Sequence, residues 1–362
     1  MDTMLAAVYH SPHDIRLEEV ERPQPGPGEA VMRVRAASIC ATDLRIFNHG
    51  HFKIPEGTVR ILGHELAGEI VAVSEGVTGL APGVRLAPGA RLAPGARVAV
   101  APNVGCGSCW ECVQGYNNLC PDYDAFGITL DGGFAQYMRI TAPAVQQGNV
   151  VEIPEGLSFE EAALGEPLSC CFNAQQVCLL APGETLVIMG AGPMGLMHLL
   201  LGRYSGAGQV IVSEVQEGRA RQAAELGADL VVDPKERDLG GAVLEATGGR
   251  GADVVMVAVG SAELQEQAVA LAARRGRVCF FAGLAAGRDR ACVSSNRIHY
   301  GQVTITGTTG SNHRQYRQTM QMLGSSRLSL RSLVTVKRPL QEIEEALADA
   351  ASGEQLKVVI KT

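Results

Sequence analysis

The first half of the chain alternates short apolar runs with glycine and proline, which is typical of β-strands joined by tight turns. Four runs predict strands at residues 30–35, 66–73, 97–101 and 133–141. The opening segment, residues 1–20, reads as a first strand. Short strands at this spacing favour a barrel-like antiparallel domain.

From Thr185 the pattern changes, and apolar strands alternate with stretches of helical length. Helices are predicted from Met194 and over residues 217–226, and strands at the runs TLVIM, QVIVS, LVVD, DVVMVAV and RVCFFAG. Such alternation predicts a parallel α/β sheet. After about Thr304 the remaining chain is too short for another domain, so we expect it to return to the first one.

A low-complexity segment interrupts the first half of the chain. Residues 80–97 read LAPGVR, LAPGAR and LAPGAR. Repeated Pro-Gly turns exclude a helix or a buried strand, and a six-residue unit is too short for a helical solenoid. We predict an extended surface loop or ribbon without a catalytic role, with partner binding as the alternative.

Composition and charge narrow the class of protein. The 362 residues are 46% apolar with a net charge of −7, which indicates a globular chain of two or three domains at about 150 residues each. The acidic balance, without a long run of Lys or Arg, argues against a nucleic-acid or anionic-membrane surface. No apolar stretch is long enough to span a membrane, and no basic region precedes the first apolar run. The sequence therefore predicts a soluble, cytoplasmic protein.

Four of the ten cysteines are crowded into a short segment. In a long chain without a secretion signal, such crowding indicates a metal more often than disulfides. Four thiolates at the spacing C-x2-C-x2-C-x7-C can complete a tetrahedral Zn²⁺ shell, and a site with no open position would be structural. Reactive or disulfide-bonded thiols are the alternative. The residues are Cys106, Cys109, Cys112 and Cys120.

The second motif, GAGPMG, follows the strand TLVIM and precedes a helix. In this context the glycines permit a tight turn and close approach of the backbone to a pyrophosphate. Glu214 ends the next strand, 19 residues after Gly195, where a carboxylate would bond a ribose diol and disfavour a 2′-phosphate. The motif therefore favours NAD over NADP, although the nearby positive charge of Arg219 reduces this preference. Alternatively, Glu214 is a solvated residue at the end of a strand without a role in binding. The predicted cofactor-binding residues are Gly190, Gly192, Pro193, Met194, Gly195, Glu214 and Arg219.

A third set of candidate residues is scattered along the chain: Cys40, His64 with Glu65, and Glu166. A thiolate, an imidazole and carboxylates together suit Zn²⁺, and an open position would make the site catalytic. Taken singly, each residue has a structural explanation, such as a buried small apolar side chain for Cys40 or a hydrogen-bonded core histidine for His64.

These motifs, in this order, resemble those of the zinc-dependent medium-chain dehydrogenases over essentially the whole chain. The resemblance is carried by CATD at residues 40–43, GHE at residues 63–65, the four-cysteine lobe and GAGPMG. The chain is most similar to the sorbitol (L-iditol) and threonine dehydrogenase branch, because Glu166 stands where classical alcohol dehydrogenases carry a cysteine ligand.

The resemblance implies an α/β fold with two domains. Residues 1–166 and 304–362 would form a GroES-like, mostly β catalytic domain with the structural zinc lobe. Residues 167–303 would form a Rossmann domain with a doubly wound parallel sheet. A small-molecule alcohol would bind in the cleft between them, and relatives suggest a homodimer or homotetramer.

The resemblance also implies one catalytic and one structural zinc per chain. Cys40 and His64 would be ligands of the catalytic zinc. Glu65 or Glu166 would be a further ligand, directly or through the bound water. Asp43 would orient the His64 ring.

The residues implied for the proton route depart from the pattern of the family. By the resemblance, Thr42 would pass the substrate proton outward, and many relatives carry a histidine five residues after the first zinc cysteine. Here that residue is Arg45. His49 or His51 is an alternative acceptor, and exit through water is another.

The sequence thus predicts zinc-dependent oxidation of a polyol or secondary alcohol to a ketone, with hydride transfer to NAD. One alternative changes the substrate to an amino alcohol, such as threonine or an aminocyclitol. Another is a catalytically silent dinucleotide-binding protein, whose signature would be missing zinc ligands; none is missing here. The complete ligand set also disfavours a zinc-free quinone reductase of the same fold.

Overall fold

The computed structural model describes residues 2–74, 77 and 92–362 and divides into two compact units. Unit 1 comprises Met1–Ser169 and Ser311–Thr362, and unit 2 comprises Cys170–Gly310. Most of the LAPGxR segment, residues 80–91, lies outside the described residues, so its predicted loop conformation stays a prediction. Within the described ranges, no helix is long and apolar enough to cross a membrane.

The strands and helices are numbered in chain order. The strands are β1 (Thr3–Ser11), β2 (Asp14–Glu21), β3 (Ala30–Ser38), β4 (Arg60–Ile61), β5 (Glu65–Val73), β6 (Arg97–Val100), β7 (Asn103–Val104), β8 (Asp124–Ala125), β9 (Tyr137–Ile140), β10 (Val150–Glu152), β11 (Thr185–Met189), β12 (Gln209–Ser213), β13 (Leu230–Val232), β14 (Ala252–Val257), β15 (Ala272–Phe280), β16 (Thr304–Gly307), β17 (Val334–Pro339) and β18 (Lys357–Lys361). The α-helices are α1 (Ala41–His49), α2 (Trp110–Val113), α3 (Ala142–Gln147), α4 (Phe159–Ala163), α5 (Gly165–Val177), α6 (Pro193–Tyr204), α7 (Glu217–Glu225), α8 (Leu239–Ala246), α9 (Ala262–Leu271), α10 (Ser295–Gly301), α11 (His313–Gly324) and α12 (Ile343–Ala351). Short 3-10 helices occupy Asn117–Leu119, Arg331–Leu333 and Leu340–Glu342.

Unit 1 is built around a seven-stranded sheet of order β10-β6-β5-β3-β18-β17, with β9 also paired to β3. A three-stranded sheet, β2-β1-β4, and the pair β7-β8 complete its β-structure. Alternating apolar side chains of β3 and β5, among them Met32, Val34, Leu66 and Ile70, are buried in one core, as a half-buried antiparallel sheet requires.

The central strands bring distant segments to one edge of this sheet. Ser38, the last residue of β3, pairs with Glu65 at the start of β5 and with Val359 of β18. The chain that leaves β3 therefore runs beside the first residue of β5 and beside the C-terminal strand.

The four strands predicted in the first half are present as β3, β5, β6 and β9. The expectation of a single opening strand is wrong, since residues 3–21 form the antiparallel hairpin of β1 and β2. Pro12 cannot donate to a strand ladder, and His13 has a φ of 63°, so the chain reverses at these two residues.

Unit 2 contains a six-stranded parallel sheet of order β13-β12-β11-β14-β15-β16, which confirms the predicted parallel α/β sheet. Counted within the unit, this is strand order 3-2-1-4-5-6, the doubly wound arrangement. The order reverses between β11 and β14. In such sheets ligands bind beyond the carboxyl ends of the strands at this reversal, where residues 190–195 begin.

Candidate functional site

The first cluster of polar side chains is organised by Asp43 in the first turn of α1. Its Oδ2 accepts a hydrogen bond from the backbone N–H of Cys40 at 2.8 Å, and its Oδ1 accepts one from Gly63 at 3.3 Å. Asp43 is fully buried. This carboxylate therefore caps the helix and ties its start to the segment that leads into β5.

Cys40, His64 and Glu65 offer ligand atoms that all lie within 4.8 Å of one another. The Nδ1 atom of His64 is 3.3 Å from Oδ1 of Asp43, an ion-pair distance, but the two atoms do not form a hydrogen bond. Burial would lower the pKa of His64, but Asp43 and the Cys40 sulfur raise it well above its ordinary value. The surroundings of this ring therefore favour a cation.

The donor set of this cluster fits a zinc ion. A thiolate, an imidazole nitrogen and a carboxylate are ligands that Zn²⁺ takes in catalytic sites, which keep a further position open. Glu166, in the first turn of α5, is not part of the set within 4.8 Å. Burial raises the pKa of Glu65, and the charges of Lys357 and His64 lower it. The negative charge of Glu166 raises it to a smaller extent, so Glu166 belongs to the same electrostatic environment.

Lys357 pairs with a residue of this cluster and is a candidate site residue that no sequence motif indicated. Its Nζ donates to Oε1 of Glu65 at 2.6 Å and to the carbonyl of Ile39 at 3.1 Å. Both charged side chains are buried, at 5% and 0% exposure. The available signal was a lysine beginning the apolar strand KVVIK, but nothing local connects it to a residue 292 positions away.

Within the proposed proton route, a hydrogen bond joins Arg45 to Thr42. Nη2 of Arg45 donates to Oγ1 of Thr42 at 3.3 Å. His49 is exposed and His51 is half-buried. Burial, together with the charges of Arg45 and Lys53, lowers the pKa of His51, so this ring is a weaker base than an exposed histidine.

The four cysteines predicted to bind structural zinc are also brought together. Backbone N–H groups donate to the sulfurs of Cys106, Cys109 and Cys120 at 3.3–3.4 Å. Amide hydrogen bonds, first from Ser108, lower the pKa of Cys106 to about 6, whereas the pKa values of Cys109 and Cys112 are raised, so the surroundings favour the thiolate at Cys106. A Cβ at Gly105 would lie 2.5 Å from the sulfur of Cys112, so only glycine fits there. The sulfurs within 4.8 Å belong to Cys106, Cys109, Cys112 and Cys120.

Two glycines of GAGPMG are required by close contacts. A Cβ at Gly190, which has a φ of 99°, would lie 2.3 Å from a methyl of Val259. A Cβ at Gly195 would lie 1.8 Å from the carbonyl oxygen of Gly190. Helix α6 begins with Pro193 and Met194, directly after the loop. The backbone amides of the loop therefore lie at a helix N-terminus, which is a favourable binding site for phosphates.

Glu214 is buried and holds this loop. Its Oε2 accepts a hydrogen bond from the backbone N–H of Ala191 at 2.7 Å, and its Oε1 accepts from the two residues that follow it at 2.8 and 2.9 Å. Nη1 of Arg219 would lie 3.8 Å from a Cβ at Gly192. A carboxylate and a guanidinium therefore both adjoin the glycine-rich loop.

Comparison with known families covers both units. Residues 26–155 match the model of the alcohol dehydrogenase GroES-like domain, and residues 193–325 match that of zinc-binding dehydrogenases. The chain is 34% identical to L-threonine 3-dehydrogenase of Pyrococcus furiosus, over 99% of this chain and 98% of that protein. It is 33% identical to sorbitol dehydrogenase of Bacillus subtilis, over 99% and 97%.

The fold is shared with solved dehydrogenases. An alcohol dehydrogenase of Escherichia coli CFT073, solved with the cofactor NADH, superposes with a TM-score of 0.86 at 26% identity, and the match covers 99% of both chains. The predicted combination of a GroES-like domain and a Rossmann domain is therefore confirmed.

The buried pair of Lys357 and Glu65 yields a stability prediction. Lys357→Met should lower the free energy of unfolding by about 3–5 kcal/mol, because it leaves a carboxylate buried without its partner. The double variant Lys357→Met/Glu65→Gln should recover most of that loss. Urea unfolding at neutral pH measures both.

A matched control lies in the same strand. Lys361→Met removes a lysine whose side chain is 41% exposed and should cost less than about 1 kcal/mol. A loss for Lys357→Met as small as that of the control would contradict the role given to the buried pair.

Proposed function

This chain belongs to the zinc-dependent medium-chain dehydrogenases, in the branch of the sorbitol and threonine dehydrogenases, and on that premise we propose that it oxidises a polyol or secondary alcohol to a ketone with NAD as hydride acceptor. The observation that carries the proposal is the thiol, imidazole and carboxylate set of Cys40, His64 and Glu65 within 4.8 Å. As a member of this family, the chain uses zinc and a nicotinamide dinucleotide and acts on CH–OH groups.

We propose two zinc ions per chain. Cys40, His64 and Glu65 would hold the catalytic ion, with Glu166 as the alternative carboxylate, directly or through the bound water. The structural ion would be held by Cys106, Cys109, Cys112 and Cys120. When bound, the catalytic zinc supplies a Lewis acid for the alcohol oxygen, and the nicotinamide supplies the hydride acceptor.

The protein's own residues orient the site and remove the proton. Oxidation releases a hydride from the carbinol carbon and a proton from its oxygen. Asp43 keeps the His64 ring turned so that its free nitrogen faces the ligand set. The Thr42 hydroxyl acts as a relay: it would accept the proton of the alcohol while giving its own O–H proton to water. Arg45 only donates hydrogen bonds, so it fixes the Thr42 oxygen and does not receive the proton.

The dinucleotide would bind at the glycine-rich loop of unit 2. The amides that follow Gly190 would contact the pyrophosphate, and Glu214 would accept hydrogen bonds from the adenosine ribose. The carboxylate disfavours a 2′-phosphate, which supports NAD over NADP, whereas Arg219 moderates the preference.

We further propose that unit 1 is the catalytic domain and unit 2 the dinucleotide-binding domain. Their boundaries then lie near residues 169 and 310 instead of 166 and 304, because β16 pairs with β15 in the sheet of unit 2. A homodimer or homotetramer is proposed on the family resemblance alone.

A second candidate substrate is an amino alcohol such as threonine or an aminocyclitol. It is favoured by the 34% identity to the threonine dehydrogenase of Pyrococcus furiosus. The chemistry at the carbinol carbon is the same for both candidates, so the substrate must be found by experiment.

Purified protein should form NADH with one class among polyols, simple secondary alcohols, threonine and aminocyclitols. A chelator should abolish turnover, and so should Cys40→Ser, because both remove the catalytic zinc. Cys292→Ser, which changes an exposed cysteine outside both clusters, should keep full activity. Turnover that survives both the chelator and Cys40→Ser would contradict the zinc mechanism.

Cofactor choice can be tested at Glu214. Glu214→Ser should raise the ratio of kcat/KM with NADP to kcat/KM with NAD by about tenfold, equivalent to about 1.4 kcal/mol, because a negative charge facing the 2′-phosphate is removed. Glu217→Ser, which removes an exposed carboxylate from the next helix, should leave the ratio unchanged. An unchanged ratio in Glu214→Ser would show that another group sets the preference.

A further inference from the structure

Tyr316, on α11, carries a polar group that the proposed mechanism does not use. Its side chain is fully buried, and its hydroxyl has no hydrogen-bond partner among the described residues. A buried hydroxyl without a partner costs about 1–3 kcal/mol, so such a group calls for an acceptor in the working state of the protein.

The hydroxyl lies next to Gly165, the residue that precedes Glu166. A Cβ at Gly165 would lie 3.7 Å from Oη of Tyr316, an ordinary van der Waals contact, and 2.7 Å from the sulfur of Met320, which is too close. Met320 therefore requires glycine at this position, and the phenol packs against the same residue.

The phenol is a donor at neutral pH, and the buried carboxylates near it are Glu166 and Glu65. Oε1 of Glu65 accepts from Lys357 at 2.6 Å, which leaves Oε2, without a hydrogen-bond partner among the described residues, for the proposed metal. Glu166 directly follows the glycine against which the phenol packs, so we assign its carboxylate as the acceptor.

We propose that Tyr316 is a positioning residue, whose hydroxyl donates to the Glu166 carboxylate and fixes where that carboxylate stands relative to the metal held by Cys40 and His64. The proposal rests on the proposed function, because it takes Glu166 as a carboxylate of the metal centre. It assigns a role to α11, which no motif in the sequence indicated.

The test is the rate at which zinc is released from the loaded protein to an excess of a chromogenic chelator. Cys40→Ser retains only the four-cysteine zinc, so comparison with it identifies the phase that belongs to the Cys40 centre. Tyr316→Phe should accelerate this phase about tenfold, since loss of a hydrogen bond to a metal ligand typically costs 10–100-fold in metal affinity. The phase of the four-cysteine zinc should not change.

Two further variants separate positioning from a structural role. Tyr9→Phe removes a hydroxyl from another buried tyrosine of unit 1 and should leave both phases unchanged. In a Glu166→Ala background, Tyr316→Phe should add no further acceleration, because the acceptor is already gone.

Several outcomes would overturn the proposal. If the rate of the Cys40-dependent phase changes less than twofold in Tyr316→Phe, the role given to Tyr316 is contradicted while the proposed function stands. A raised KM without faster zinc release has the same consequence, because it would make the hydroxyl a substrate contact. An additive effect with Glu166→Ala, or a zinc-free Tyr316→Phe protein that does not fold, also contradicts it. Absence of any Cys40-dependent phase in the unaltered protein would overturn the proposed function and this proposal together.

Discussion

A buried excess of negative charge beside the end of β3 is the constraint on which the site depends. Asp43 and Glu65 are fully buried and Glu166 is 8% exposed, and the Cys40 sulfur adjoins them. Among the residues that the structure describes, Lys357 is the only buried lysine or arginine. Carboxylates removed from water are costly unless cations compensate them, so this cluster requires more positive charge than one lysine supplies. The His64 ring, whose pKa is raised, supplies part of it, and a divalent metal ion at the proposed site would supply more.

The sheet of unit 1 is what gathers these charges. Ser38 pairs with both Glu65 and Val359, so two segments near the start of the chain and the C-terminal strand meet at one edge. The capping carboxylate Asp43 then fixes α1 against the start of β5 through two backbone amides. The positions of the candidate ligands therefore follow from strand register and one helix cap.

Local sequence was enough to single out most of the candidate residues that the structure brings together. The motif GHE contains two neighbouring residues of the ligand set, and GAGPMG owes its glycines to contacts within its own strand–loop–helix unit. Lys357 and Tyr316 could not be found this way. Each acts on a carboxylate far away in the chain, and each sits in an ordinary apolar pattern, KVVIK or an amphipathic helix, that has a structural explanation.

The difference between local and long-range information also explains which parts of the fold and of the site were predicted from the sequence. Periodicity predicted β3, β5, β6 and the parallel sheet, because alternation and apolar runs reflect burial within one element. The opening hairpin was missed because a Ser-Pro-His turn lies inside an otherwise strand-like run. The choice between Glu65 and Glu166 as ligand could not be made either, since it depends on the relative placement of β5 and α5, which neither segment encodes alone.

We propose that Cys40 and His64, with a carboxylate, hold a zinc ion distinct from that of the four-cysteine lobe. Anomalous diffraction from crystals of the zinc-loaded protein, recorded on both sides of the zinc absorption edge, tests this directly. We expect two peaks per chain, one of them about 2.3 Å from the Cys40 sulfur and about 2.0–2.1 Å from a His64 nitrogen. A single peak among Cys106, Cys109, Cys112 and Cys120, with none at Cys40, would contradict it.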